Sequence, residues 1–344
     1  MRKFLWAALG VAGIAAGVVG CSPPAKEPPA AKAGPKLQTP TWAYAVRLAP
    51  PEPKAKDDGA PQSLPGSTRR FTRAQIGNQF VPGAVPGLAD WFPQDHPAMP
   101  KLVAEGDPAR NIHACALCHL PNGAGRPENA GVAGLPKAYI LRQLDDMAAG
   151  TRHSAEPLKT NTELMVGYAK AMTQAEKEEV STYFASIPRK PWIKVVETAT
   201  VPKMVSEAGL YVPLEGPGAG AEPIGARLIE TPQDVKRSEF YRDPRSPFIA
   251  YAPLGSVAKG KTLAAGVEGR TLACAVCHGV GLTGIDTIPG LAGRSPSYIA
   301  RQLNDFKQNA RTGTMAPLMV PVVAKMTPED MLDISAYIAS LPPG

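Results

Sequence analysis

Two short stretches of the chain place two cysteines and a histidine at the same spacing. They are Cys115-Ala116-Leu117-Cys118-His119 and Cys274-Ala275-Val276-Cys277-His278. On one helical turn, two thiols three positions apart can each form a thioether with a vinyl group of one porphyrin, and the next histidine then lies beneath the iron. The pattern predicts two covalently attached c-type haems. The predicted attachment points are Cys115, Cys118, Cys274 and Cys277, and the predicted proximal ligands are His119 and His278.

Other chemistry built on paired cysteines explains less of this pattern. Four cysteines suit a zinc site, a paired-thiol motif suits disulfide exchange, and an exported chain can carry two structural disulfides. A disulfide-exchange motif follows a strand, which neither stretch does. None of the three accounts for a histidine directly after each pair, so the haem interpretation is favoured.

The two motifs head two related segments, which indicates an internal duplication. At an offset of 159 positions the matched residues are Gly134 with Gly293, Tyr139 with Tyr298, Gln143 with Gln302, and Arg152 with Arg311. Five residues are then absent from the second copy, and at an offset of 154 the matches are Met165 with Met319, Met172 with Met326, and Tyr183 with Tyr337.

Each copy carries the patterns of amphipathic helices that would position its haem motif. Apolar residues recur at helical spacing in Ile140, Leu144 and Met147, and again in Ile299, Leu303 and Phe306. The last helix of each copy begins with a hydroxyl residue and an acid three positions later, Thr173 with Glu176 and Thr327 with Asp330. These patterns predict a mainly α fold.

The sixth iron ligand is predicted to be methionine, whose thioether favours ferrous iron. Met172 and Met326 directly precede helix caps, where an apolar residue usually packs against the core. Met165 and Met319 lie eight residues before those caps, in a predicted loop that can cross the distal face of the haem. We therefore predict that Met165 and Met319 are the ligands. The rivals are Met315 in the second copy and His153 in the first.

The proximal histidines and the haem carboxylates also need partners. A carbonyl usually orients such a histidine, and Pro289 is the candidate in the second copy, with Ala130 at the matching position of the first. The candidates for pairing with haem propionates are Arg142, Arg152, Arg301 and Arg311.

Taken together, each repeat resembles the mono-haem class I cytochrome c fold. The motifs are Cys-x-x-Cys-His, then Val-Ala-Gly or Leu-Ala-Gly, Tyr, Gln-Leu, a late Met, and Thr-Tyr-Phe-Ala-Ser or Ala-Tyr-Ile-Ala-Ser. The tandem resembles the dihaem cytochromes c of the cytochrome c-four type, over residues 98–188 and 250–342. This resemblance implies two all-α domains, His/Met-ligated haems and electron transfer in the periplasm. The long segment between the two repeats departs from that family.

The beginning of the chain reads as an export signal. Arg2 and Lys3 precede an uncharged, mostly apolar stretch that ends in Val18-Val19-Gly20-Cys21. Small residues before a cysteine are typical of a lipoprotein signal, so Cys21 is predicted to be lipidated. An ordinary signal peptide cleaved nearby is the alternative. No later stretch reaches the length of apolar sequence that a membrane span requires.

The predicted organisation is mainly α, with two cytochrome c-like helical domains in tandem. Its parts are a lipoprotein signal peptide (1–21), a spacer with eleven prolines (22–66), the first domain (67–190), an interdomain segment (191–245) and the second domain (246–344). Short strands forming a small sheet are predicted around 193–198, 211–214 and 227–230.

The formal net charge of +7 does not indicate a nucleic-acid partner. Signal removal takes two positive charges away, and haem propionates would offset most of the rest. No basic cluster with interleaved aromatic residues supports such binding. The expected partners are redox proteins, with attachment to a bacterial membrane through the lipid.

Three functions compete. The first is a periplasmic electron carrier, which is not an enzyme and relays single electrons through two haems. The second is a dihaem redox enzyme of the peroxidase or thiosulfate dehydrogenase type, which needs one haem with an exchangeable sixth ligand. The third is a tethered cytochrome subunit of a larger dehydrogenase or oxidase, which differs from the first only in its partner.

Overall fold

The structure is a computed structural model that describes residues 39–46, 59–77, 88–207 and 209–344. The predicted signal peptide, with Cys21, lies outside the described residues, as does most of the predicted spacer. None of the helices in the described ranges combines the length and hydropathy that a membrane span needs.

Helices surround both cysteine motifs. In chain order they are α1 (Arg73–Gly77), α2 (Lys101–Ala104), α3 (Cys115–His119), α4 (Lys137–Ala148), α5 (Thr160–Ala171), α6 (Gln174–Ala185), α7 (Ser256–Ala264), α8 (Ala275–His278), α9 (Pro296–Lys307), α10 (Val320–Val323) and α11 (Pro328–Ser340). Each motif therefore forms a single helical turn, α3 in the first repeat and Cys274 with α8 in the second. A single turn is what brings both thiols and the histidine to the same porphyrin.

The predicted helix signals are present. The apolar faces of α4 and α9 are buried. At the start of α6, Thr173 and Glu176 form a reciprocal capping box, and Thr327 and Asp330 do the same at α11. These caps satisfy amide groups that would otherwise have no partner in the first turn.

Two hydrophobic cores correspond to the two repeats. The first packs α4 and α6 together with buried residues of α2, α3 and α5. The second packs α9 and α11 with residues of α7 and α10. Cys115 lies against the first core and Cys274 against the second, so the two cysteine pairs occupy separate places.

Nine short strands accompany the helices in the described residues. They are β1 (Gln62–Ser63), β2 (Arg70–Phe71), β3 (Ile193–Glu197), β4 (Thr200–Pro202), β5 (Met204–Glu207), β6 (Leu210–Pro213), β7 (Ala221–Pro223), β8 (Ile229–Pro232) and β9 (Phe248–Ala252). The main sheet has the order β3-β9-β8, with β3 parallel and β8 antiparallel to β9. The remaining strands form antiparallel pairs: β1 with β2, β4 with β7, and β5 with β6.

The main sheet packs against the second group of helices, and residues 39–46 join it there. Trp42 and Tyr44 are buried together with Ala250 of β9, Ala300 of α9 and Ala336 of α11. These residues fall within the predicted spacer. They pack because two large aromatic side chains supply apolar area that the rest of the spacer lacks.

Candidate haem sites

Each motif histidine lies on its short helix with one ring nitrogen bonded to a carbonyl. His119 Nδ1 lies 2.8 Å from the carbonyl oxygen of Ala130, and His278 Nδ1 lies 2.8 Å from that of Pro289. A carbonyl oxygen only accepts, so Nδ1 carries the hydrogen and Nε2 keeps a lone pair free for a metal. The predicted pairing with Pro289 is present, and Ala130 fills the same role in the first repeat.

Burial favours the neutral form of these rings. It lowers the pKa of His119 and of His278, against a smaller opposing effect of the carbonyl hydrogen bond. A neutral imidazole is the form that binds a metal.

The four motif thiols are free in this structure. Burial raises the pKa of Cys115 to about 12, and it also raises the pKa values of Cys118 and Cys274. Among the described residues, no group of three or more His, Cys, Asp or Glu side chains could hold a bare metal ion. Two reduced thiols with an oriented imidazole on one helical turn are the donor set of a c-type haem.

A cavity beside the first motif brings together two residues predicted to bind iron. His119 and Met165 both line it, and its apolar wall is completed by the α4 residues Ile140, Leu144 and Met147. Met172, by contrast, is buried in the first core and does not line this cavity. The geometry therefore favours Met165 over Met172.

Met165 does not lie in a loop, as the sequence suggested, but in the middle of α5. The segment 160–171 is rich in helix-forming residues, and its single glycine does not interrupt it. In the second repeat, Met319 lies between a 3-10 helix, Ala316–Leu318, and α10, half-buried against the second core. Met326 is fully buried in that core. His153, the rival in the first repeat, lines the first cavity but is exposed.

The two repeats meet through a closed ring of four buried or half-buried polar side chains. Gln143 Oε1 accepts hydrogen bonds from Arg152 (3.0 Å) and Arg311 (2.6 Å). Gln302 Oε1 likewise accepts from Arg152 (3.1 Å) and Arg311 (3.0 Å). Each glutamine thus binds the arginine of its own repeat and that of the other.

The ring leaves positive charge beside the first cavity. No carboxylate of the described residues lies within ion-pair distance of Arg152, Arg301 or Arg311. Arg152, Arg301 and Lys159 all line the cavity. Burial lowers the pKa of Lys159 to about 7, and its Nζ donates to the carbonyl of Glu128 at 2.7 Å. Glu128 and Asp305 also line the cavity, but neither forms an ion pair with these three cations. Buried cations that lack a direct ion pair suit a bound anionic group.

The interdomain segment covers the first motif. Arg242 donates to the carbonyl of Leu117, and Asn122 donates to that of Pro244 at 2.6 Å. Arg126 is buried and bridges Glu128 at 2.5 Å and Glu239 at 2.6 Å. We call residues 236–245 the covering segment. Its first part, Lys236–Phe240, is a π-helix.

Sequence reasoning missed Lys159, Gln143, Gln302 and the covering segment. The two glutamines carried a signal, since the repeat aligns them, but nothing local indicated their shared partners. Lys159 lies among the residues where the two copies differ in length, so it had no counterpart to draw attention to it.

Comparison with known proteins gives the family. A family model described as "Cytochrome c" matches residues 257–342. Cytochrome c4 of Pseudomonas aeruginosa is 33% identical over 69% of this chain and 90% of the relative. The thiosulfate dehydrogenase electron acceptor of Thiomonas intermedia is 28% identical over 67% of this chain and 79% of the relative.

Among solved structures, the thiosulfate dehydrogenase of Marichromatium purpuratum in its as-isolated form is 27% identical with a TM-score of 0.45. That match covers 69% of this chain but only 38% of the solved one. The match to the Pseudomonas aeruginosa protein, by contrast, extends over nine tenths of the relative. The chain therefore belongs to the cytochrome c4 family, the dihaem class I cytochromes c that bind c-type haem covalently.

Proposed function

We propose that this chain is an exported electron carrier that relays single electrons between redox partner proteins and performs no bond chemistry itself. The carrying observation is that each repeat pairs a histidine whose Nδ1 lies 2.8 Å from a carbonyl with a methionine packed at its core. Met165 lines the cavity with His119, and Met319 lies against the second core. A dihaem enzyme needs one iron with an exchangeable position, whereas a methionine available in both repeats supports two permanently ligated irons.

The chain's own residues hold and orient the cofactors in this proposal. Each cysteine pair would anchor one haem, and His119 and His278 would each supply an imidazole nitrogen to its iron. Met165 and Met319 would each supply a thioether sulfur. When bound, each haem supplies an iron that takes up or releases one electron. Methionine sulfur favours the ferrous form, which raises the reduction potential.

The first cavity also has a role for its buried cations. Arg152, Arg301 and Lys159 line it without a carboxylate partner at ion-pair distance in the described residues. The propionates of the first haem would supply the missing negative charge. Burial of both signs together avoids leaving either one uncompensated in a low-dielectric interior.

Domain layout and location complete the proposal. Residues 67–190 and 246–344 are two cytochrome c domains in tandem, and 191–245 connects them. Lipidation of Cys21 would tether the protein in the periplasm of a bacterium. The electron donor would be an oxidoreductase such as a thiosulfate dehydrogenase, by analogy with the Thiomonas intermedia relative.

The test uses the full chain matured in a strain that assembles c-type cytochromes. Intact mass should rise by two haems, and reductive titration should take up two electrons per chain. The matched control replaces Cys274 and Cys277 by alanine, and it should lose one haem and one electron. A chain that matures without haem, or that turns over peroxide with one high-spin iron, would contradict the carrier proposal.

A further inference from the structure

The surface around the second motif is open, whereas the matching surface of the first is closed. At the repeat offset, Pro121 is buried and its counterpart Val280 is 93% exposed. Arg126 is 4% exposed, and its counterpart Ile285 is 51% exposed. The contrast recurs at most of the matched positions, from Ala116 against Ala275 to Pro127 against Asp286.

The exposed residues at the second motif are apolar. We call Leu272, Val276, Val280 and Ile285 the open face, and their exposed fractions are 55%, 77%, 93% and 51%. Val276 lies between the cysteines of the motif, and Val280 lies two residues beyond the end of α8. Apolar residues gathered at this exposure usually mark a place where another molecule binds.

The open face is also nearly free of charge. Apart from the motif itself, Asp286 is the single ionisable side chain between Thr271 and Pro289. The first repeat carries Arg126 and Glu128 at the positions of Ile285 and Thr287, and there Arg126 binds Ser238 and Glu239 of the covering segment while Glu128 pairs with Arg126. The second repeat has lost both groups, so nothing on it would bind a charged partner in that way.

The first repeat shows what kind of molecule covers such a surface. There the occupant is polypeptide, the covering segment, which reaches the backbone of the motif through Arg242. In the described ranges no segment of this chain does the same for the second repeat. In this fold such a surface is therefore covered by protein. Because the open face lacks charged groups, the partner surface that covers it should be apolar.

We propose that the open face is the docking site for a redox partner protein whose own contact surface is apolar and uncharged, and that electrons enter and leave the molecule there. This inference rests on the proposed electron-carrier function. In each exchange one electron passes from the reduced protein to the oxidised one. No covalent bond forms or breaks, and no proton is transferred. The covering segment closes the equivalent route at the first repeat.

The test is stopped-flow oxidation of the fully reduced holo-protein by a blue-copper protein that has an uncharged apolar face over its copper. Val280→Asp places a charge at the most exposed position of the open face. It should slow the second-order reaction about tenfold, because a charge at the centre of an apolar contact must be desolvated. The unchanged protein should react at nearly the same rate in low and high salt, since few charges steer it.

A control is Leu254→Asp, which changes an exposed leucine (65%) outside the open face and should leave the rate unchanged. Both haem absorbance phases should slow together in Val280→Asp. If half of the absorbance change stays fast, the first repeat has its own route and the inference is wrong. An unaffected rate would place docking elsewhere, and a dimer in sedimentation that Val280→Asp dissolves would make a second copy the occupant.

A small chemical reductant separates this result from failure of the carrier proposal. It needs no docking surface, so it should load two electrons into Val280→Asp and the unchanged protein alike. A protein that cannot be loaded in this way fails as a carrier, whatever its behaviour with the copper protein.

Discussion

At the residue scale, a single hydrogen bond to the backbone prepares each motif histidine as a metal ligand. In both repeats a backbone carbonyl eleven residues after the histidine accepts from Nδ1. That single bond fixes the ring's orientation and its tautomer. The sequence differs at the accepting position, alanine in one copy and proline in the other, because only the backbone takes part.

The methionines give the most direct residue-level prediction. Met165→Ala and Met319→Ala should each remove about half of the weak far-red absorption of sulfur-ligated ferric haem, because each removes one ligand. Met172→Ala is the control. It should keep the full absorption while lowering the free energy of unfolding by about 2–5 kcal/mol, the usual cost of truncating a core methionine. Equal spectra for all three variants would show that the iron ligands lie elsewhere.

The surroundings of His96 should make the free energy of unfolding depend on pH. Its Nδ1 faces the carbonyl of Pro97 at 2.8 Å and its Nε2 faces Asp90 at 3.2 Å, so both nitrogens have acceptors and the charged ring is favoured. Burial alone would lower the pKa of His96, but these bonds and the Asp90 charge raise it above 6.5. The extra stability is therefore present below that value and is lost as pH rises through the higher folded-state pKa.

The measurement is urea unfolding of the unchanged protein and His96→Gln across this pH range. The difference in unfolding free energy between the two should shrink as pH rises, because the variant lacks the titrating group. Asp90→Asn should also flatten the dependence, since it removes the charge that favours protonated His96. Parallel curves for the unchanged protein and His96→Gln would contradict this assignment.

At the element scale, the covering segment is bound to the first repeat through a buried charge cluster. Arg126 lies between Glu128 and Glu239, and Glu128 is itself buried. A buried charge that loses its partner keeps its desolvation cost without compensation. The contact between these two parts of the chain is therefore sensitive to a single substitution.

We expect Arg126→Leu to lower the free energy of unfolding by about 3–5 kcal/mol, the usual effect of removing one partner of a buried ion pair. Arg110→Leu is a matched control, because Arg110 also bridges two carboxylates, Asp107 and Glu176, in a half-exposed position. That change should cost little, since solvent screens the exposed pairs. Equal losses in denaturant titrations would show that burial does not decide the strength of the cluster.

At the scale of the whole molecule, the ring of glutamines and arginines joins the two repeats. Each glutamine oxygen accepts hydrogen bonds from two arginines, one in each repeat, so neither repeat completes these hydrogen bonds alone. The backbone supports the same junction, where His153 N donates to the carbonyl of Ala310 and Thr312 N donates to that of Thr151. The repeats are thus expected to unfold together.

Gln143→Leu and Gln302→Leu test this junction. Each single change should cost about 1–3 kcal/mol, because it leaves arginine donors without an acceptor. The double variant should cost less than the sum of the two, since both substitutions free the same arginines. Gln174→Leu, at an exposed position on α6, is the control and should be nearly neutral. Strictly additive costs would mean that the ring does not act as a unit.

The sequence could predict those parts of the fold that depend on neighbours along the chain. The haem motifs, the apolar faces of α4 and α9 and both capping boxes were predictable because each uses residues within a few turns. Strands of the interdomain segment were also predicted near β3, β6 and β8, with β8 shifted by two residues. Their union in one small sheet was wrong, because β3 and β8 pair with β9 whereas β6 pairs with β5.

Contacts between distant segments were beyond that reasoning. Arg242 meets Leu117 across more than a hundred residues, and Trp42 packs against β9 across a still longer separation. No local pattern encodes such pairings, because they depend on how the two repeats and the sheet pack together. The helical position of Met165 was missed for a related reason, since copies of different length give no aligned boundary for α5.

The parallel pairing of β3 with β9 has a consequence for how this chain can change its length. Ile193 lies beside Phe248 and Glu197 beside Ala252, so the polypeptide leaves the sheet at one end and returns at the other. Between them the chain enters the same sheet as β8, and residues 236–245 bind the first repeat, so much of this excursion is itself anchored. The exposed stretch 215–220, between β6 and β7, belongs to neither of these contacts. Doubling a loop costs only about 0.6 kcal/mol in closure entropy, so insertions in that stretch can accumulate while both helical cores stay where they are.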